Sequence, residues 1–404
     1  MPNSSPSDRA QTTFLGLSPE RMPMLVVLLV AACLTPMTGG AIAPVFPDMV
    51  DQLQLDDRWA GLLISVPKLT VAIAAPILGL LADRTGKLRI LVFSLVGFAV
   101  FGTFGGLLNA FVPLLASRAL VGVANGGISA ASLGLVASWF EGETRARLIG
   151  YTASLLAIAS TIFPLAAGGL GAMGWQYAFL LYGLALPIAV AAARIVVEPK
   201  VETDSSGEIG SLQLSSLVRD LRQPGFLIVL LSLACSSAVF YTVIAYAPDY
   251  FKDAIGASAP VNGIILATRA IGAAIIAAIG ANQVAKRIGA TGAIALGFGF
   301  MSATVATIPV IDSVRLALVA AFGFGIGFGL VMPNLYTVLA NLVSVEHRST
   351  LLALGTGCSS LGQFFAPILL GGIWERGHTD VFLVAAGMAI AIAVLQIAST
   401  KFHR

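Results

Sequence analysis

Charged residues are scarce in this chain of 404 residues: only 11% are Asp, Glu, Lys or Arg, whereas about 25% are charged in a typical soluble domain. Hydrophobic residues make up 57%, and the mean hydropathy is +0.92. This composition excludes a soluble, disordered or collagen-like protein. The formal net charge is only +3 and no run of basic residues exceeds two, which argues against nucleic-acid binding. The composition therefore predicts a polytopic α-helical membrane protein.

Cysteine and histidine are also rare, with three of each. Cys33, Cys235 and Cys358 fall within apolar stretches, so we expect buried packing and no disulfide framework. The histidines lie in or near polar breaks without the spacing of metal ligands, and no phosphate-binding Gly-Lys-Ser motif is present. We therefore expect no metal, no cofactor and no enzymatic activity.

Apolar runs of about 20 residues, long enough to cross a hydrocarbon core of ~30 Å, recur between polar breaks. The twelve predicted spans lie at 24–46, 59–82, 90–108, 111–138, 146–170, 174–196, 225–247, 260–284, 290–310, 313–342, 350–373 and 379–399. The polar segment 197–224 has an apolar stripe that suits an interfacial helix. The predicted fold is all-α, with a tail at 1–23, a six-helix bundle at 24–196, the linker at 197–224, a second six-helix bundle at 225–399 and a tail at 400–404.

Lysine and arginine are distributed unevenly between the two sets of loops. Sixteen lie on the side of the chain termini and four on the opposite side. Positive residues accumulate in cytoplasmic loops, so both termini are predicted to be cytoplasmic. We expect an integral, multi-pass protein of a bacterial-type inner membrane, acting as a monomer.

An internal repeat relates the two groups of six spans. At an offset of 203, Gly122 recurs as Gly325, Gly126 as Gly329, Pro164 as Pro367, Arg145 as Arg348, and Gly168-Gly169 as Gly371-Gly372. The constant offset predicts two pseudo-symmetric bundles related by an axis along the membrane normal. Transporters built this way bind substrate between the halves near the membrane midplane and rock the halves to alternate access, whereas a channel or a structural protein does not need this arrangement.

Several short segments resemble motifs of one transporter family. Residues 79–87, Gly-Leu-Leu-Ala-Asp-Arg-Thr-Gly-Lys, resemble the G-x-L-A-D-R-x-G-R/K signature of the major facilitator superfamily, and residues 174–179 are similar to the G-W-R-W-x-F that opens its sixth span. Pro44 and Pro47, at the end of span one, resemble the P-x-x-P of its drug:proton antiporter branch. The resemblance covers essentially the whole chain and implies an alternating-access transporter with twelve spans.

The antiporter branch is matched less completely than the superfamily. Arg118 and Gly122 are similar to its Arg-x-x-Gln-Gly motif, with Val121 in place of Gln. Pro164 and Gly168 match its span-five motif G-x-x-x-G-P-x-x-G-G. Alanine or phenylalanine replaces three of that motif's glycines, at Ala159, Phe163 and Ala167.

The signature at 79–87 lies where span two meets the cytoplasm. A carboxylate at Asp83 can pair with a nearby arginine or lie at the positive N-terminus of another helix, and either contact would fix one arrangement of the halves. The resemblance implies a cytoplasmic latch that favours the outward-facing state. We assign this latch to Gly79, Asp83, Arg84, Gly86, Lys87, Arg145 and Arg348. The alternative is a solvated loop with the usual positive-inside charge.

Three cations, Lys68, Arg118 and Arg269, fall inside predicted spans, whereas all 20 acidic residues fall at span ends or in loops. Each interior charge costs about 2.5–3.5 kcal/mol, which indicates a function. The repeat places Lys68 and Arg269 at nearly equivalent depths, so we expect both to face one cavity and bind an anion. Superfamily members that carry small anions such as nitrate resemble this arrangement. Alternatively, Lys68 extends to the membrane surface or donates to carbonyls freed at prolines, and Arg118 has a structural or coupling role.

Other polar residues within the spans are further candidates for substrate contact. They are Asn125 in span four, Tyr241 in span seven, Asn334 in span ten and Gln363 in span eleven. Hydrogen bonding between helices is the alternative for each. We also expect Pro44 to break span one and Pro333 to break span ten, as in many substrate-lining helices.

The motifs and the interior charges favour different cargoes. We expect a proton-coupled secondary exporter of small acidic or zwitterionic metabolites or drugs, whose partners are that substrate, the proton gradient and the lipid bilayer. The alternatives are a small-anion uptake or exchange transporter, a lipophilic-cation multidrug antiporter and a non-transporting sensor. A cation antiporter commonly needs a membrane-embedded carboxylate, and the nearest candidates, Asp48 and Asp249, lie at the outer ends of spans one and seven.

Overall fold

A computed structural model describes residues 22–139, 142–198, 224–342 and 348–402. Within these ranges the regular secondary structure is entirely helical, which confirms the all-α prediction. The predicted interfacial helix in the linker, residues 1–21 of the first predicted tail and residues 403–404 of the second lie outside the described residues. Eleven of the described helices are long and apolar enough to cross a membrane, and a bent pair at the start supplies a twelfth span.

The observed helices follow the predicted spans closely. In chain order, span one comprises Met22–Cys33, Met37–Gly40 and Phe46–Leu53, and span two comprises Asp57–Ala60 and Leu62–Thr85; spans three to six are Lys87–Gly105, Phe111–Trp139, Gly142–Gly171 and Trp175–Ile195; span seven comprises Pro224–Ala245 and Ala247–Ile255; span eight is Ala259–Ile288; span nine comprises Ala290–Thr307 and Ile308–Val310; and spans ten to twelve are Val314–Asn341, Arg348–Trp374 and Asp380–Phe402. We call the helix ends on the side of Met22 and Phe402 the inner ends and the opposite ends the outer ends.

Span one is broken, but its 43° bend lies between Met22–Cys33 and Met37–Leu53 and therefore precedes the break expected at Pro44. Pro44 lies within the second piece, in a short 3₁₀ turn. The expected break of span ten at Pro333 is wrong, because the helix continues through it. The side-chain amide of the next residue, Asn334, donates to the carbonyl of Leu330 at 2.8 Å. Side-chain donors of this kind help a membrane helix tolerate proline.

Small residues bring helices into close contact at equivalent places in the two halves. A Cβ atom on Gly122 of span four would overlap the carbonyl oxygen of Pro67 in span two, and one on Gly325 of span ten would overlap that of Arg269 in span eight. Glycine removes the side chain that would hold such helices apart. The same contact therefore fixes Pro67 and Arg269 at matching positions, as the internal repeat predicts to within one residue, and Lys68 is the next residue after Pro67.

The two halves pack against each other at their outer ends through glycine. A Cβ atom on Gly168 of span five would lie 2.6 Å from the carbonyl oxygen of Ala259 and 3.2 Å from Cα of Gly263, both in span eight. A Cβ atom on Gly371 of span eleven would overlap the backbone carbonyl of Arg58 at the start of span two. These two contacts are related by the internal repeat, and each joins one half to the other.

Polar contacts reinforce the same outer interface. Lys252 Nζ at the end of span seven lies 2.7 Å from Asp48 Oδ1 and 2.6 Å from Asp51 Oδ2 at the end of span one. The Tyr241 hydroxyl of span seven donates a hydrogen bond to the carbonyl of Gly61 in span two. Glycine packing and charge pairing together hold the outer ends of the two halves in contact.

Candidate functional site

A cavity of about 290 Å³ lies between the two halves. Helices from both halves wall it: spans one, two and five on one side, and spans seven, eight, ten and eleven on the other. Four of the predicted substrate-binding residues line it, namely Lys68, Tyr241, Arg269 and Gln363. The outer interface lies on one side of this cavity, because Tyr241 both lines the wall and bonds to Gly61 at the outer end of span two.

Arg269 is buried beside this cavity without a counter-charge. Its side chain is 6% exposed, and the guanidinium carbon lies 4.5 Å from the centre of the Phe240 ring. The Nε atom is buried without a hydrogen-bond partner, and no acidic side chain pairs with Arg269 within the described ranges. A buried cation that contacts only an aromatic face retains its capacity to bind an anion.

Lys68 is the second cation on the cavity wall, and it belongs to the other half. Its side chain is half-buried. In the part of the chain that the structure describes, its ammonium makes no hydrogen bond to Pro67 or to any other residue, and no ion pair. Gln363 adds an amide with both donor and acceptor capacity to the same wall. The cavity thus offers two positive charges without a counter-charge, together with the neutral polar side chains of Thr35, Ser160, Tyr241 and Gln363.

Arg118 lies within the first half, away from the residues that line the cavity. It donates to the Leu63 carbonyl at 3.2 Å, to the Tyr182 hydroxyl at 2.8 Å and to the Thr38 carbonyl. These bonds join span four to spans one, two and six, and the side chain is only 1% exposed. This geometry fits the structural alternative, in which all three guanidinium nitrogens are bonded inside one bundle.

The remaining predicted polar contacts have mainly structural partners. Asn125 Nδ2 donates to the Thr38 hydroxyl at 2.8 Å, one helix behind the cavity, and its Oδ1 is buried without a partner. Asn334 is buried and bonds to Leu330 in its own helix. The structure therefore separates the seven predicted substrate-binding residues into four on the cavity wall and three, Arg118, Asn125 and Asn334, behind it.

The antiporter-like residues lie along spans one and five. Pro164 lines the cavity and would lie 3.4 Å from a Cβ atom on Gly40, so the two helices approach closely there. Gly168 belongs to the outer interface between the halves. Pro44 lies in a 3₁₀ turn within the second piece of span one, and Pro47 lies in the first turn of the helix that follows.

The structure describes only part of the predicted latch. Asp83 is 65% exposed, and among the described side chains it pairs with Lys87, at 3.5 Å. Gly86 has φ +107 and makes the tight turn between spans two and three, where a side chain would be strained. Gly79 and Arg84 lie on span two. Arg145 and Arg348 lie near the starts of spans five and eleven, and their side chains are outside the described set.

Glu198, which follows span six, contacts this loop, and sequence reasoning missed that contact. Its carboxylate accepts hydrogen bonds from the backbone N–H groups of Lys87 at 2.5 Å and Leu88 at 3.3 Å. These are the first residues of span three, where the unpaired N–H groups and the helix dipole favour an anion. No local pattern could reveal a contact between residues 111 positions apart.

The two outer carboxylates considered for proton coupling have different environments. Asp48 pairs with Lys252 across the two halves. Asp249, near the start of the final helix of span seven, is half-buried and has no hydrogen bond or ion pair within the described ranges. Both lie at the outer end, away from the cations of the cavity.

Known proteins are similar to this chain over almost its whole length. The quinolone resistance protein NorA of Staphylococcus aureus (strain MRSA252) is 21% identical over 370 residues, which cover 90% of this chain and 93% of NorA. The MFS-type transporter YwfA of Bacillus subtilis (strain 168) is 22% identical over 365 residues, covering 89% of this chain and 88% of YwfA.

A solved structure supports the fold. A bacterial homologue of the human lysosomal transporter Spinster, in an inward-facing and occupied conformation, has a TM-score of 0.74 at 18% identity, covering 96% of this chain and 97% of that chain. The sequence profile described as Major Facilitator Superfamily matches residues 28–367, and it matches residues 229–402 a second time. The profile spans most of the chain and both of its halves, so this membrane transporter belongs to the major facilitator superfamily.

Proposed function

We propose that this transporter exports small organic acids or zwitterions by alternating access, and that Lys68 and Arg269 bind the anionic group of the cargo. Export is coupled to the proton gradient. The observation that carries the proposal is the pair of unpaired cations, one from each half, on the wall of one cavity. Each interior charge costs about 2.5–3.5 kcal/mol, and an anionic ligand that contacts both would offset that cost.

The closed outer interface supports alternating access. The halves contact each other at their outer ends through Gly168, Gly371 and the Lys252 bridge, while the cavity lies further toward the inner ends. An arrangement sealed on one side of a central site is one of the two states that rocking halves produce. The carboxylate of Asp83 is 65% exposed here, so it is accessible for a latch contact that forms in the other state.

Efflux, rather than uptake, is supported by the relative NorA, which is named for quinolone resistance. Quinolones are organic compounds, so this relative favours an organic cargo over an inorganic ion. Proton coupling is supported by the half-buried, unpaired carboxylate of Asp249 at the outer end. A lipophilic-cation antiporter is less well supported, because no acidic residue lines the described part of the cavity.

Small-anion exchange is the second candidate, because the same two cations would bind nitrate-sized ions. In this candidate function the cargo can be a small inorganic anion, and transport can be uptake or exchange rather than export. Thermal stability of the purified protein in detergent, measured against acetate, benzoate, nitrate and tetraphenylphosphonium, separates the candidates. A ligand at 100 times its dissociation constant should add about 2.7 kcal/mol to the free energy of unfolding.

The variants Lys68→Gln and Arg269→Gln test the site directly. We expect each to abolish stabilisation by carboxylates, whereas Arg315→Gln, at an exposed cation outside the cavity, should leave it unchanged. Proteoliposomes that export benzoate faster when the opposite compartment is acidic would support proton-coupled export. Stabilisation by tetraphenylphosphonium alone would contradict the proposal.

A further inference from the structure

A second cavity of about 250 Å³ adjoins the first on the inner side of Arg269. The two cavities share four wall residues, Ser160, Phe240, Arg269 and Phe328. The second cavity is bounded by spans five, seven, eight and ten. We call it the inner lobe. Because both cavities share these walls, a ligand bound at Arg269 can extend into the inner lobe.

The wall of the inner lobe is almost entirely apolar. Span eight contributes Ala270, Ala273, Ala274 and Ala277, which recur at the spacing of one helix face. Span ten contributes residues that include Met332. Apart from Arg269 and Ser160, none of its lining residues has a polar side chain. A run of small residues usually marks helix packing, but here those residues face an open space.

Arg269 connects this apolar space to the anion site. Its side chain is 94% buried, since only 6% is exposed, its Nε has no partner, and it lines both cavities. The ring of Phe240 beneath its guanidinium stacks on Phe328 with the ring centres 4.5 Å apart. A positive charge therefore lies at the edge of an aromatic and aliphatic chamber that shares part of its wall with the anion site.

Span eight also changes its geometry beside the lobe. Residues Ile276–Gly280 form a π-helical turn, a feature that occurs frequently at functional sites. This turn begins two residues after Ala274 and includes Ala277, so the helix widens where it borders the lobe.

We infer that the cargo is an amphiphilic carboxylate whose charged group binds Lys68 and Arg269 and whose apolar body occupies the inner lobe. This inference rests on the proposed function and narrows its cargo. A nitrate-sized or acetate-sized anion would use the cations and leave the apolar lobe unfilled. Each methylene buried in the lobe contributes about 0.8 kcal/mol, which corresponds to about a fourfold decrease in Kd.

The test measures Kd for acetate, butyrate, hexanoate and octanoate, together with nitrate, by thermal shift of the protein in lipid nanodiscs. We expect Kd to fall by about fourfold per added methylene until the lobe is full. Octanol and octylammonium have the same tail without the negative charge. They control for partition into the lipid, and we expect neither to bind with this dependence on length.

Two matched variants of span eight locate the tail. Ala274→Leu fills the lobe, because Ala274 lines it. Ala278→Leu makes the same change at an exposed position outside both cavities. We expect Ala274→Leu to remove the chain-length dependence while acetate still binds as in the unchanged protein, and Ala278→Leu to behave like the unchanged protein.

The outcomes separate the two proposals. If acetate and octanoate bind equally and Arg269→Gln abolishes both, the anion site stands and the amphiphilic cargo is refuted. The cargo is also refuted if Ala274→Leu retains the full chain-length dependence. If no carboxylate binds, or if octanol and octylammonium follow the same chain-length dependence as the carboxylates, the proposed function itself fails.

Discussion

A single methyl group at the outer interface should shift the protein toward the state that is open outside. Gly168→Ala adds a Cβ atom 2.6 Å from the carbonyl oxygen of Ala259, where ordinary contact begins at 3.4 Å. The obstacle is backbone, which cannot rotate away, so spans five and eight must separate by about 0.8 Å. Overpacking of this kind costs about 1–3 kcal/mol. That energy corresponds to about a 5- to 150-fold change in the ratio of the two states.

The next residue provides a matched control. A Cβ atom on Gly169 would meet no atom within 4 Å. Both substitutions replace a helical glycine by alanine and gain about the same helix propensity, up to ~1 kcal/mol. The difference between Gly168→Ala and Gly169→Ala therefore isolates the contact between the halves. The repeat supplies a second pair of variants. A Cβ atom on Gly371 would overlap the backbone of Arg58, whereas a Cβ atom on Gly372 would meet no atom within 4 Å.

Cysteine labelling measures the shift. Ser160→Cys, on the cavity wall, is introduced after the three native cysteines have been replaced by alanine. A membrane-impermeant maleimide is then added from the outer side of sealed vesicles of known orientation. We expect Gly168→Ala to raise the labelling rate at least fivefold over Gly169→Ala. Equal rates in the two variants would refute the steric origin of the outer closure.

Two further predictions concern charges that join helices. Lys252→Gln removes both carboxylate contacts of the outer bridge. Such partly exposed pairs contribute about 0.2–1 kcal/mol each, so the rate of cysteine labelling from outside should rise severalfold. High salt screens the same pairs and should produce part of this rise in the unchanged protein. Tyr182→Phe removes one of the three hydrogen-bond acceptors of Arg118. We expect thermal denaturation to show a decrease of about 1–3 kcal/mol in the free energy of unfolding. Tyr177→Phe, at an exposed ring, should leave the free energy of unfolding unchanged.

The sequence predicted the spans well because hydropathy alone determines which segments enter a bilayer. It also predicted the cavity cations, since Lys68 and Arg269 are costly inside a membrane and no interior acid compensates them. Arg118 is also a charged residue inside a predicted span, so the same criterion does not distinguish it from the two cavity cations. Its acceptors include the carbonyls of Thr38 and Leu63, and every residue has a carbonyl, so composition cannot reveal such a partner.

Other features depend on contacts between distant segments. Glu198 caps span three across 111 residues, and no spacing rule connects them. The alanines of span eight resemble ordinary helix packing in the sequence, and only the positions of spans five and ten show that Ala274 faces a cavity. Pro333 did not predict a break correctly, since the helix continues through it and the side-chain amide of Asn334 bonds to the carbonyl of Leu330 in the preceding turn.

The two unpaired cations also determine how a membrane voltage acts on the transport cycle. Moving one charge through the whole potential costs about 2.3 kcal/mol per 100 mV. When the cavity exchanges inner for outer access, the electrical potential at Lys68 and Arg269 changes from that of the inside to that of the outside. With the inside at about −100 mV, this change costs the empty protein up to about 4.6 kcal/mol. A bound monovalent anion halves that cost. The voltage therefore opposes the outward turn of a loaded cavity less than that of an empty one, and it favours the return of the empty cavity. Over a complete cycle the difference would drive anions out without an interior carboxylate.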